Sequence, residues 1–193
     1  HARHLEMNLS TYFSPNTHLT GEALGLLYIA RNFPELARAS EWEHLGRSIL
    51  FEQLSRQVRA DGVYFEQSSY YHRYTVDFFL HVLQLERPNG GTPPAVVETL
   101  RKLLDHLTFL ARPDGTWPLF GDDDGGRLLF LDPRRSDDFR PSLSTGAVVF
   151  RSPEYAFIAN ELSAETIWLT GPNAVRTWSA LSPRAPSQSS ARS

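Results

Sequence analysis

Val96-Val97-Glu98-Thr99-Leu100-Arg101-Lys102-Leu103-Leu104-Asp105-His106-Leu107-Thr108-Phe109-Leu110 is the stretch that decides the fold class. Val96, Leu100, Leu103, Leu104, Leu107 and Leu110 recur at intervals of three and four, the spacing that puts side chains on one face of a helix. Turn formers bound the run, Pro88-Asn89-Gly90-Gly91 before it and Arg112-Pro113-Asp114-Gly115 after it, which marks one helix of ordinary length. Working back towards the N-terminus, three more stripes share that period. Leu19, Ala23, Leu26, Leu27, Ala30 and Phe33 follow the start signal Ser14-Pro15-Asn16. Pro34 opens a short piece, and Trp42, Leu45, Ile49, Leu54 and Val58 then form a helix from about Ser40 that Asp61-Gly62 stops. Tyr71, Tyr74, Phe78, Val82 and Leu85 form the third. Four helices with short connections predict an all-α chain of stacked antiparallel hairpins. No strict repeat is present.

Working outward, residues 117–140 read as irregular, with the acidic turn Gly121-Asp122-Asp123-Asp124-Gly125-Gly126 inside them. Ala147-Val148-Val149-Phe150 and Ile167-Trp168-Leu169 are short apolar runs that a strand would also fit. Ser152-Pro153-Glu154 supplies a cap, a first-turn proline and a first-turn acid, and Ser163-Ala164-Glu165 leads to a terminal Gly171. These favour short helices. The tail, 181–193, is rich in Ser, Pro and Arg and is expected to be linker-like or disordered.

Composition bounds the function. Of 193 residues, 41% are hydrophobic and 21% charged, the profile of a folded domain large enough for one core or two small ones. No apolar run approaches the ~18–20 residues of a membrane span, so no membrane partner is expected. There is no cysteine, which excludes disulfides and thiolate chemistry. The net charge of −3 argues against nucleic acid as a partner, and an acidic ligand would need local positive or hydrogen-bonding groups. The chain opens on His-Ala-Arg-His without an initiator Met and is read as an excerpt of a longer protein.

Three polar clusters could carry chemistry. Asn16-Thr17-His18-Leu19-Thr20-Gly21-Glu22 sets His18 and Glu22 on one helix face. It is either a polar site at a helix start or a capping Asn beside a surface His–Glu pair. It lacks the third and fourth ligands of a zinc site. Asp61 to Tyr74 holds Tyr64, Glu66, Tyr70, Tyr71, His72, Arg73 and Tyr74. Such a mixture suits carbohydrate, whose ring faces stack on aromatics while its hydroxyls take polar partners, or it is core with wetted hydroxyls. Asp122-Asp123-Asp124 lacks the alternating spacing of a calcium loop and reads as a solvated turn. His44, His81 and His106 sit singly on helices as structural or surface residues, and His1 and His4 carry no signal. No metal and no cofactor is called for.

The stretch from Ser14 through Asn16, His18 and Glu22 to Leu27, followed by Phe33-Pro34-Glu35 and Trp42, resembles the heparinase II/III family. So does Asp61-Gly62-Val63-Tyr64-Phe65-Glu66-Gln67-Ser68 running into Tyr70-Tyr71-His72, and so does Gly121-Asp122-Asp123-Asp124-Gly125-Gly126. The likeness spans roughly residues 5–180. It implies an incomplete (α/α) toroid over residues 1–180, with the family's C-terminal β-sandwich region missing. It also implies a lyase that cleaves an acidic, uronate-bearing polysaccharide or oligosaccharide such as heparan sulfate or alginate by β-elimination, in a periplasmic or secreted setting. By the same resemblance Tyr71 takes the place of the catalytic tyrosine, Asn16 that of the asparagine contacting the uronate carboxylate, and His18 that of a histidine found in some members. Glu22, Glu66, Tyr70, His72 and Arg73 are candidate substrate-binding or supporting residues. The family's further histidine, from its β part, has no counterpart here.

The chemistry explains the residue types. β-Elimination removes the C5 proton beside a uronate carboxylate, which hydrogen-bond donors must neutralise as charge develops. Asn16 can donate through its amide. A tyrosine, protonated at neutral pH with a reference pKa near ~10, can protonate the departing C4 oxygen. A histidine or arginine close to it, such as His72 or Arg73, would lower that pKa and let it act as base too. Two other classes stay open at this point. One is a non-catalytic helical-repeat module holding a glycan or protein. The other is a toroid-type glycoside hydrolase with paired carboxylates drawn from Glu22, Glu66 and Asp122.

Overall fold

The computed structural model describes residues 1–131 and 133–182. Its helices are α1 (Ala2–Met7), α2 (Thr17–Asn32), α3 (Ala39–Gln57), α4 (Ser69–Glu86), α5 (Pro94–Phe109), α6 (Arg140–Phe150), α7 (Pro153–Ala159), α8 (Ala164–Thr170) and α9 (Asn173–Leu181). The described residues contain no strand, only a single bridge between Val58 and Tyr64, so the chain is all-α. Of the expected linker-like or disordered tail, 181–193, Leu181 is instead the last residue of α9, and residues 183–193 lie outside the described residues.

The capping signals act as the sequence predicts. The Oδ1 of Asn16 accepts from His18 N at the head of α2, and Ser68 Oγ accepts from Tyr70 N and Tyr71 N at the head of α4. Ser152 and Ser163 cap α7 and α8, where they satisfy N–H groups the first turn leaves orphaned. The two apolar runs that a strand would also fit are therefore helical, Ala147–Phe150 at the end of α6 and Ile167–Leu169 within α8. Two helices carried no sequence signal. One is α1, which is held by Glu6 accepting from Trp42 Nε1 (3.1 Å) and pairing with Arg38. The other is α9.

Helix directions follow from the cross-contacts. Arg31 near the end of α2 meets Glu43 near the start of α3 (3.1 Å), so the two form an antiparallel hairpin. Gly46 lets their backbones touch, since a Cβ there would come within 2.8 Å of Ala23 O. Between α2 and α4, Thr17 meets Glu66, Tyr28 meets His81 and Arg31 meets Glu86 in rising order, so these helices run parallel. The Tyr70–Phe139 ring contact and the Ser142–Asp77 bond (2.5 Å) put α6 parallel to α4. Parallel helices α2, α4 and α6, alternating with the returning α3 and α5, are the layout of an (α/α) toroid segment.

α4 is the centre of this layout. Tyr70, His72, Arg73, Thr75, Val76, Phe79, Leu80, His81 and Glu86 are all buried, as are Phe78, Val82 and Leu83. The predicted stripe through Tyr71, Tyr74 and Leu85 is its less buried side. Beneath the irregular segment, Trp117 is a buried plug that rests on Phe139 and donates its Nε1–H to Leu107 O (2.8 Å). This satisfies the indole N–H while the ring fills core. No helix among the described residues is long and apolar enough to cross a membrane.

Candidate active site

Because α2 and α4 run parallel, their N-termini share one end of the array, and the three polar clusters of the sequence meet there. Glu66, just before α4, is the joint. Its carboxylate accepts from Thr17 N (2.9 Å), from Thr17 Oγ1 and from the Tyr64 hydroxyl (3.1 Å). Tyr64, buried and itself bonded to Gln57 Oε1 (3.0 Å), fixes the other side of the joint. Desolvation pushes its hydroxyl pKa far above the ordinary tyrosine value, with Glu66 adding to the rise. A carboxylate at the positive end of α2 is favourably placed, and the result ties the loop before Tyr71 to the residue after Asn16.

Asn16 is half-buried, and its Oδ1 accepts from the His18 ring Nδ1–H (3.0 Å) as well as the His18 backbone N–H (3.0 Å). That oxygen is occupied, which leaves the side-chain amide as the donor. His18 is exposed. The expected surface His–Glu pair does not form, because Glu22 turns to Ser10 and accepts from its N–H (2.7 Å) and hydroxyl (2.6 Å).

Tyr71 stands in the first turn of α4, half-buried, and its hydroxyl makes no hydrogen bond among the described residues. Burial, followed by the carboxylates of Asp124, Asp122, Glu66 and Asp123, pushes that hydroxyl above its ordinary value. The orientations of His72 and Arg73, which adjacency in sequence leaves open, supply the reason. His72 points into the core, where its Nε2–H donates to Leu103 O (2.9 Å), and burial lowers its pKa to about 4. It is a neutral strut between α4 and α5. Arg73 is buried between the Tyr70 and Tyr74 rings (4.5 and 4.6 Å from their centroids), pairs with Asp77 (2.9 Å) and donates to Gly126 O (2.9 Å). Residues one and two along a helix point away from their neighbour, so neither acts on the Tyr71 hydroxyl. Tyr70 is buried as well, its hydroxyl donating to Gly126 O.

From its residues the acidic turn reads as a solvated loop, and it shares the pattern of the family it resembles. Its aspartates are exposed, yet the loop docks on the head of α4. Ser68 Oγ donates to Asp122 O (2.6 Å), Ser69 N to Phe120 O (3.0 Å) and Ser69 Oγ to Pro118 O (2.6 Å). Gly121 makes the approach possible, with φ +72° and room for no Cβ beside Ser68 Cα at 2.8 Å. The Gly residues flanking the triple Asp were the one available signal. Among the described residues no group of three or more His, Cys, Asp or Glu side chains is placed to hold a metal ion.

Comparison with known proteins follows the same ground. Residues 1–128 match the family model described as Heparinase II/III N-terminus. A heparin-sulfate lyase of Pedobacter heparinus is 33% identical over 118 residues, covering 59% of this chain and 18% of that protein. Another, from Bacteroides stercoris, is 30% identical over 125 residues, covering 63% of this chain and 18% of its own length. The crystal structure of a heparan sulfate lyase mutant from Pedobacter heparinus superposes with a TM-score of 0.62 at 27% identity, covering 82% of this chain and 24% of that one. The chain thus spans less than a fifth of the length of these two relatives.

Proposed function

This chain belongs to the heparinase II/III family, and from that premise we propose that it forms part of a polysaccharide lyase that cleaves an acidic, uronate-containing polysaccharide by β-elimination. Residues 1–180 are then one partial toroid domain. The observation that carries the reading is the Glu66–Thr17 joint, which holds the Asn16 and Tyr71 helix starts at the same end of parallel helices.

The uronate carboxylate sits at the head of α2, where the Asn16 amide donates to it; the exposed His18, whose Nδ1–H is spent on Asn16 Oδ1, adds a second donor through Nε2 only as the protonated imidazolium. Neutralised in this way, the carboxylate can accept the charge that develops as the C5 proton leaves. Tyr71, held protonated by burial and its acidic neighbours, donates its proton to the C4 oxygen as the glycosidic bond breaks. A raised pKa suits an acid better than a base, so the C5 proton goes to a second group, for which a histidine is the natural type. Tyr70, His72, Arg73, Glu22 and Glu66 act by holding the site rather than by touching sugar, since each is already turned to a protein partner. For Glu22 and Glu66 this also speaks against a hydrolase, whose paired carboxylates must face the glycosidic bond.

The test is the ultraviolet absorbance of an unsaturated uronate product. The longer protein that includes this chain is expected to produce it from heparan sulfate or another uronate polymer. Tyr71→Phe is expected to lower the rate by about 10²–10⁴-fold, the range for loss of an acid–base group, with an unchanged circular dichroism spectrum. New reducing ends without that absorbance, or full activity in Tyr71→Phe, would overturn the proposal.

A further inference from the structure

The end of the array away from Tyr71 carries a second feature. A groove of about 830 Å³ lies between the end of α4, the start of α5, the end of α6 and α9. Arg87, Arg101, Arg151 and Arg176 line it, with Thr92 and Thr177 among the polar groups and no carboxylate among the described residues. Elsewhere the described arginines are commonly neutralised, as Arg31 and Arg47 are by Glu86, Arg73 by Asp77 and Arg127 by Glu165. Asp105, a carboxylate near Arg101, is engaged by the Tyr155 hydroxyl.

Helix electrostatics explain only half of this cluster. Arg87 and Arg151 stand at the C-terminal ends of α4 and α6, where the negative end of the dipole favours a cation. Arg176 is in the first turn of α9, where the dipole disfavours one. Arg101 is in the middle of α5, its guanidinium laid over the Phe150 ring at 4.5 Å, a posture that fixes its donors at little further entropic cost. The Thr92 hydroxyl, buried and without a hydrogen-bond partner, lines the same groove.

We propose that this groove is a second anion-binding site, which holds a strand of the same acidic polysaccharide about 20 Å along α4 from Tyr71. The assignment of the ligand rests on the lyase reading; the cationic groove does not. Planar guanidinium forks take sulfate or carboxylate oxygens in pairs, and the apolar floor of Leu83, Val149 and Phe150 suits the ring faces between them. The site also meets a need. The Tyr71 end is ringed by Asp122, Asp123, Asp124 and Glu66 and repels a polyanion, so attraction must come from elsewhere on the molecule. A polymer held at two places gains avidity that a short oligosaccharide cannot.

The experiment measures binding of the whole chain to immobilised heparan sulfate, a non-sulfated uronate polymer, a neutral glucan and duplex DNA, across a series of salt concentrations. Heparan sulfate, the uronate polymer or both are expected to bind, more weakly as salt rises, and the glucan is not. The double variant Arg101→Gln, Arg176→Gln is expected to lose about 25-fold in affinity, roughly fivefold per guanidinium, and to show a shallower salt dependence. Arg101→Lys, Arg176→Lys keeps the charge and is expected to keep most of the binding, while melting curves monitor the fold of every variant. Loss of binding in the Lys pair equal to that in the Gln pair, unchanged affinity in the Gln pair, equal binding of DNA, or no binding of either acidic polymer would each overturn the proposal. The groove is read by affinity in the arginine variants and the lyase reading by the ultraviolet absorbance of the product, so failure of one is separable from failure of the other.

Discussion

Replacing Glu66 by Ala tests the joint on which the candidate site depends. The carboxylate accepts three donors, Thr17 N at 2.9 Å, Thr17 Oγ1, and the Tyr64 hydroxyl at 3.1 Å. Hydrogen bonds to a charged group contribute about 1.5–3 kcal/mol each, but the sum is not reached. The Tyr64 hydroxyl keeps Gln57 Oε1 (3.0 Å), and Thr17 Oγ1 keeps the Tyr64 hydroxyl (3.1 Å). Only Thr17 N–H loses its acceptor outright, and Glu66 is half-buried, so water can reach the gap. The expected cost is therefore about 2–3 kcal/mol, which includes a few tenths for the negative charge at the head of α2. For a domain of this size that is a fall of about 4–12 °C in Tm. Glu66→Gln, which keeps the shape and one acceptor, should cost about 1 kcal/mol. Urea unfolding followed by circular dichroism reads the numbers, and a double-mutant cycle with Thr17→Val isolates the pair, with a coupling of about 1–2 kcal/mol expected. A Glu66→Ala protein within about 0.5 kcal/mol of the parent, or a coupling near zero, would refute the claim that this carboxylate joins the two helices.

Stability should also respond to pH through the buried histidines. Burial lowers His72 from 6.5 to about 4, so the unfolded chain binds a proton where the folded one does not. Stability from this group is complete above about pH 6.5 and is lost as pH falls towards 4, by about 3 kcal/mol. His81, also lowered to about 4, adds in the same direction. Chemical denaturation at a series of pH values in His72→Gln should show a shallower acid loss, and an unchanged slope would contradict the assignment. Glu86 is fully buried between Arg31 (3.0 Å) and Arg47 (2.9 Å), so Glu86→Ala removes the partner these two cations share and is expected to cost about 3 kcal/mol. Arg31 keeps Glu43 and Arg47 reaches solvent, which holds the cost at the lower end. A melting temperature within about 2 °C of the parent would count against that ion-pair cluster.

Much of the helical framework was written in local signals. The α5 stripe, the Ser and Asn caps, and the Pro and Gly stops are interactions within a few residues, so they can be read without tertiary structure. The same locality explains the misses. α1 is defined by contacts of Glu6 with Trp42 and Arg38 some thirty residues away. The burial of α4 on nearly all sides follows from being enclosed by α2, α5 and α6, and its own pattern of polar residues at His72, Arg73 and His81 reads as a surface.

The site divides in the same way. By itself the sequence placed Asn16 beside His18 at one helix start and Tyr71 at another, because spacing and capping are properties of adjacent residues. It also carried the family likeness, which the comparisons bear out together with the fold. Only the tertiary structure decided that α2 and α4 run parallel, that Glu66 joins their heads, and that the acidic turn bends over Tyr71 by way of Gly121. It alone decided the direction of the Tyr71 shift. His72 and Arg73 are its neighbours along the chain, but the helix turns each of them inward, and burial first, then the carboxylates of Asp124, Asp122, Glu66 and Asp123, set the shift. The charge around a side chain is set by what the fold packs around it, and that information is not local.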